Sequence, residues 1–186
     1  MSHVQQIEYV NSIKSNYLNY FQNKKILEVG SLDINGSVRT FFENCDYTGL
    51  DVGEGKGVDM VCEGQTFQGE SNSYDVVISC ECFEHNPYWL ETFKNMYRMC
   101  KPDGLVIMTC ATTGRKEHGT SRTSPRKSPL TVAKGWDYYK NLTEEDFRTN
   151  INFDETFSKY EFSNNTKSSD LYFFGIVNNL KYSLEK

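Results

Sequence analysis

A chain of 186 residues is long enough for one compact domain and leaves little room for a second. Its 38% hydrophobic residues, with twelve Tyr and twelve Phe, supply a core and exclude wholesale disorder. A formal net charge of −5 argues against a protein that holds nucleic acid by counterion release.

Val4, Ile7, Val10, Ile13, Tyr17 and Phe21 recur at steps of three or four and predict an opening amphipathic helix packed on a sheet. Lys25 to Val29 is a short apolar strand ending in Gly30, and helical character resumes from Ser37 to Phe42. Tyr47 to Leu50 reads as a second strand ending at Asp51, and Val58 to Val61 as a third beyond a glycine-rich turn. Tyr74 to Ser79 is the clearest buried strand. Asn86 and Pro87 then predict a capped helix with Leu90, Phe93, Met96, Tyr97 and Cys100 on one face. Lys101 to Gly104 is expected to end that helix as a turn, before a fifth buried strand from Leu105 to Thr109. From Ala111 to Asn141 no clean period is present, and a loop of that length is usually functional or disordered. Thr143 caps a short helix, and Phe157 to Phe162 and Leu171 to Val177 predict an antiparallel edge hairpin.

Strands alternating with helices through residue 110 demand a parallel sheet with right-handed crossovers, whose ligands bind at the carboxyl ends of the strands. The loops after Val29, Leu50, Ser79 and Thr109 therefore face one site. Of the six cysteines, Cys80 and Cys82 are one residue apart, which is not the spacing of a zinc or redox pair, and no metal is expected. Residues 1–6 are polar where a leader peptide needs an apolar core, and no apolar run approaches the roughly 18 residues of a membrane span. A soluble, cytoplasmic protein with no membrane partner is expected.

Glu28-Val29-Gly30-Ser31 forms a glycine-bearing turn, and Asp51 follows Gly30 by 21 residues, near the spacing at which a carboxylate meets a ribose hydroxyl. A dinucleotide fingerprint starting at Gly30 would need glycine where Leu32 and Asn35 stand. The second glycine lets backbone approach a pyrophosphate, so its absence disfavours NAD. With Ser79 to His85 and the Lys101 to Leu105 turn, these segments make the sequence resemble the class I S-adenosylmethionine-dependent methyltransferases, close to the type 11 methyltransferase domain, from Lys25 to about Thr113. The resemblance implies a Rossmann-like α/β fold: a seven-stranded, mostly parallel sheet with an antiparallel C-terminal hairpin and helices on both faces. Length and pattern together give one domain over 1–186, expected to be a methyltransferase domain, divided into an N-terminal helix (1–24), a cofactor-binding core (25–110), a long basic loop (111–142) that could act as a lid, and a short helix with hairpin (143–186). The resemblance also implies that S-adenosylmethionine is held by Glu28, Gly30, Ser31, Asp51, Val52, Glu63, Gly64, Ser79 and Cys80.

Methyl transfer is an in-line displacement in which positioning and desolvation do much of the catalysis. Where the acceptor must lose a proton, His85 and His118 are the imidazoles near the site, although His85 could instead serve the helix start at Asn86. The basic loop carries seven Lys or Arg against two acids, which favours an anionic or sugar-like small acceptor contacted by Arg115, Arg122 and Arg126. Asn86-Pro87-Tyr88-Trp89 invites comparison with the Asn-Pro-Pro-Tyr element of DNA amino-methyltransferases. It lacks the second proline, and with the acidic net charge this argues against nucleic-acid methylation. The expectation is O- or N-methylation of a small molecule. The alternatives are a non-catalytic S-adenosylmethionine-binding module and an NAD-dependent oxidoreductase.

Overall fold

The structure, a computed structural model, describes residues 3–179; residues 1–2 and the remainder of the 143–186 segment lie outside the described residues. Seven strands form one sheet: β1 (Lys25–Val29), β2 (Asp46–Asp51), β3 (Met60–Val61), β4 (Tyr74–Cys80), β5 (Cys100–Ala111), β6 (Phe157–Asn165) and β7 (Asp170–Val177). Their order is β3-β2-β1-β4-β5-β7-β6. The first five run parallel and β7 pairs antiparallel with both β5 and β6. This is the mixed seven-stranded arrangement expected from the sequence.

Helix α1 (Val4–Asn16) covers one face and α2 (Trp89–Met99) the other. Because strand residues alternate sides, Val76 and Ile78 of β4 join Val10 and Ile13 in one core layer, while Val77 joins Phe93, Met96 and Met99 in the other. Each fully buried aliphatic side chain of this kind contributes about 1.5–3 kcal/mol by leaving water. Among the described residues no helix is long and apolar enough to cross a membrane.

Several expected elements are displaced. The opening stripe is rotated: Val4 is 66% exposed, and Gln6 lies on the buried face with Val10 and Ile13. The helix expected from Ser37 to Phe42 is a single 3-10 turn, Val38–Phe41. Tertiary pairing overrides local propensity there, since Glu43 donates to the Phe21 carbonyl (2.8 Å) and accepts from the Asn23 amide (3.0 Å). Helix α2 starts at Trp89 rather than Pro87, because Asn86 Oδ1 accepts from the Tyr88 amide (2.8 Å) and closes a preceding turn. Lys101–Gly104 bulges within β5: Tyr74 pairs with Cys100 but Val76 with Leu105, and Asp103 takes a left-handed φ of 57°. The third strand shortens to Met60–Val61, as Asp59 Oδ2 is taken by the Gly49 amide (2.7 Å).

The loop after β5 contains the short helix α3 (Pro129–Ala133), preceded by a 3-10 turn at Pro125–Lys127. Beyond it, α4 (Glu144–Arg148) begins with the expected Thr143 cap, closed reciprocally by Asp146. A further turn of helix, α5 (Phe153–Thr156), leads into β6.

Candidate active site

At the carboxyl ends of β1, β2 and β4 lies a cavity of about 70 Å³. Glu28, Gly30, Ser31, Asp51, Cys80 and His85, all singled out from the sequence, line it. Gly30 has φ +82° and turns the chain so that its amide and that of Ser31 both donate to the Leu50 carbonyl (2.8 and 3.0 Å). Ser31 is 2% exposed and its hydroxyl has no hydrogen-bond partner. Asp51 accepts from the amides of Leu32 (2.9 Å) and Val52 (2.8 Å), which fixes its carboxylate at the cavity edge. Burial raises the carboxyl of Asp51 above its ordinary range, with these two amides working the other way.

Glu28 and Glu81 are buried acids of the site. Desolvation pushes the pKa of Glu28 up to about 7, only partly opposed by the Tyr47 hydroxyl, which donates to Oε2 at 2.8 Å. Folding therefore favours the protonated acid. The resulting stabilisation is present in full below the ordinary value of 4.5 and is lost as pH rises to about 7. Thermal unfolding of the ligand-free protein should show about 3 kcal/mol less stability at pH 8 than at pH 4.5 from this group, a slope that Glu28→Gln should remove. An unchanged pH profile in the variant would show that Glu28 ionises freely.

The other nominated residues lie elsewhere. Ser79 is wholly buried and donates to the Val29 carbonyl (2.7 Å), tying β4 to β1. Glu63 pairs with Lys134 (2.7 Å), and Gly64 packs against Val29 and Thr92. The arginines of the basic loop do not converge on the cavity. Arg115 is drawn to Asp170 (3.0 Å) and the Ser168 carbonyl, and Arg122 to Glu117 (2.8 Å) and Asp137 (3.2 Å). Arg126 is exposed and does not line the cavity. Among the described residues the cation that does is Lys127, followed by Ser128, Pro129, Leu130 and Thr131. Nothing in composition separates Lys127 from its neighbours. Its place depends on how the turn before α3 folds back.

Gln6 also lines the cavity, fully buried and with neither amide atom hydrogen-bonded. The signal for it was a polar residue in register with Val10 and Ile13 at steps of four and three. His3 anchors the same helix: its Nδ1 lies 3.2 Å from Gln5 Oε1, and Nε2 pairs with Asp170 (3.1 Å) and Glu81 (3.4 Å). Burial works against charge on His3, but those two carboxylates outweigh it and raise its pKa to about 9.

His85 and His118 come together at the wall, with ring centroids 5.0 Å apart and Tyr139 against both. Only His85 reaches the cavity. Burial, then the neighbouring His118, holds His85 down to about 3, so its ring is neutral. Cys80 and Cys82 also line the wall, and burial keeps both as thiols. All six cysteines are unpaired.

Residues 17–108 match a family described as a methyltransferase domain. A stretch of 84 residues is 31% identical to phosphoethanolamine N-methyltransferase 2 of Caenorhabditis elegans, covering 45% of this chain and 18% of that protein. Among solved structures, Haemonchus contortus phosphoethanolamine N-methyltransferase 2, in complex with phosphomonomethylethanolamine and S-adenosylhomocysteine, is similar with a TM-score of 0.60 at 16% identity, over 90% of this chain and 53% of that one. Burkholderia thailandensis 1,6-didemethyltoxoflavin-N1-methyltransferase is similar with a TM-score of 0.58 at 12% identity, over 96% of this chain and 93% of that one. The chain thus spans about half the length of the H. contortus structure and a smaller part of the C. elegans protein.

Proposed function

We propose that this chain, whose residues 17–108 match a methyltransferase domain, is a class I S-adenosylmethionine-dependent methyltransferase that moves a methyl group from that cofactor to a small acceptor carrying an anionic group. The observation that carries the reading is the meeting of the Gly30 turn, the unpartnered Ser31 hydroxyl and the Asp51 carboxylate in one cavity. They suit a nucleoside without a pyrophosphate: Asp51 would accept ribose hydroxyls, and Ser31 with the glycine turn would meet the amino-acid end. S-adenosylmethionine supplies a methyl group on a sulfonium, an electrophile that needs no metal or redox partner.

The chain's own part is to exclude water and align the acceptor. A cavity of about 70 Å³ falls far below the roughly 300–1,000 Å³ of small-molecule sites, so loading requires the 127–131 segment to swing out. On return it covers the ligands, with Leu130 seated on Gly53 and Lys127 at the wall. Lys127 is the cation placed for a phosphate or carboxylate on the acceptor. An acceptor of that class is also bound by the H. contortus relative, whose structure holds phosphomonomethylethanolamine.

S-adenosylhomocysteine at 100 times its Kd should raise the melting temperature by about 5–10 °C, from about 2.7 kcal/mol of linkage, while NAD should not. Asp51→Ala should weaken that binding by about 10–100-fold, the range of a lost charge-assisted hydrogen bond. Transfer of labelled methyl into phosphoethanolamine and into carboxylate-bearing amines tests the acceptor class. Equal stabilisation by NAD would overturn the cofactor reading, and transfer only to uncharged acceptors would overturn the anionic one.

A further inference from the structure

Beside the cavity, three buried side chains point their polar atoms at one another. Glu84 and His85 sit on the 3-10 turn after β4 (Phe83–His85), and His118 comes from the loop after β5. One ligand-capable atom of each lies within 4.8 Å of the others. Glu84 is 0% exposed, His85 2% and His118 7%. Neither carboxylate oxygen of Glu84 and neither ring nitrogen of His85 has a hydrogen-bond partner. Their closest approach, His85 Nε2 to Glu84 Oε1, is 3.8 Å, too long for a hydrogen bond. A buried carboxylate and imidazole left in this state are costly and call for a partner.

We propose that Glu84, His85 and His118 bind one divalent transition-metal ion. One carboxylate and two imidazoles is the donor set of zinc, iron and manganese sites, and three protein ligands leave coordination positions open. His118 is already oriented for this, because its Nδ1 lies 3.0 Å from the Lys116 carbonyl, a contact that fixes ring orientation and leaves Nε2 to ligate. The turn that carries it is equally constrained: a Cβ on Gly119 would stand 2.6 Å from His85 Cε1. The neighbouring group of His3, Glu81 and Asp170 differs in kind. Its atoms are already paired, His3 with both acids and Asp170 with Arg115 at 3.0 Å.

His85 also belongs to the cavity wall, so an ion held there stands beside the acceptor and can take an acceptor oxygen as a further ligand. That last role rests on the methyl-transfer reading; the binding of the ion does not. His85 and His118 then serve as ligands rather than as proton acceptors.

The test is made on the full chain, stripped with a chelator and given Zn²⁺, Mn²⁺ or Co²⁺, with Mg²⁺ as the oxygen-preferring control. Metal content by mass spectrometry, melting temperature and the visible absorption of bound Co²⁺ are read. The expected result is about one transition-metal ion per chain, a raised melting temperature, and loss of both on chelation. Changing a residue that only orients a ligand typically costs 10–100-fold in affinity, so Glu84→Gln and His118→Gln should each cost at least about 100-fold. Both should still be stabilised by S-adenosylhomocysteine. A melting temperature indifferent to ions and chelator, or binding that survives both substitutions, overturns the site. Because the chelator experiment uses the unaltered chain, a variant that fails to fold does not blunt it. Metal binding without any response to S-adenosylhomocysteine would sink the methyltransferase reading and leave the metal site standing.

Discussion

Gly30→Ala is expected to destabilise the protein by about 2–5 kcal/mol and to remove cofactor binding. Two costs add. The φ of +82° is a left-handed conformation that costs an L residue about 1–2 kcal/mol. In addition, a Cβ at position 30 would lie 2.7 Å from both Cβ and Sγ of Cys82, an overpacking typically worth about 1–3 kcal/mol. Relief of either strain would turn the Gly30 and Ser31 amides away from the Leu50 carbonyl and shift the cavity floor. The two terms can be separated. In a Cys82→Gly background the steric part should disappear and the conformational part remain, so Gly30→Ala should cost only about 1–2 kcal/mol there. Equal costs in both backgrounds, measured by denaturant unfolding, would mean that Cys82 moves aside freely.

Phe93→Ala is expected to be worse for stability and indifferent to chemistry. The ring is wholly buried and lies against Phe83, Tyr97, Phe147, Phe153, Phe157 and Phe173, with centroids 5.2–6.4 Å apart. It thereby joins α2 to α4, α5, β6 and β7. Truncation of a buried Phe costs about 3–5 kcal/mol through lost transfer energy and an unfilled cavity. In a protein of this size that lowers the melting temperature by roughly 10 °C. Phe93→Leu should recover much of the loss, and the exposed Leu18→Ala should cost within about 0.5 kcal/mol. A Phe93→Ala protein melting within a few degrees of the parent would mean that the aromatic cluster closes over the gap.

The strands were legible because their signal is local. Val76, Val77 and Ile78 form an apolar run too short for a helix, and a glycine followed by an acid 21 residues later marks two strand ends on one side of a sheet. The elements that slipped were those decided by distant partners. Ser37–Phe42 has helical spacing, but Glu43 is claimed by Phe21 and Asn23, which leaves a single turn. The basic loop was legible as charge and illegible as geometry. Arg115 and Arg122 find acids in the fold, one of them 55 residues away, while Lys127 does not differ from them by type. Glu84 could not be singled out by pattern, since a carboxylate beside a histidine reads as a solvated turn until burial is known. The cysteine spacing argued against a zinc or redox pair and carried no signal for the imidazole and carboxylate atoms that converge in the fold.

The position of β7 bears on how the chain is made. It forms late in the sequence yet lies inside the sheet, hydrogen-bonded to β5 on one side and β6 on the other. Until Asp170–Val177 has been synthesised, the nascent sheet ends at β5, whose run from Leu105 to Ala111 is wholly buried in the finished protein. That apolar border is the kind that recruits strands from other chains. Ribosomal pausing or proteolysis between residues 112 and 169 would therefore release a sticky fragment rather than a smaller folded domain. Chaperone demand during synthesis should fall sharply once residue 177 is available to pair.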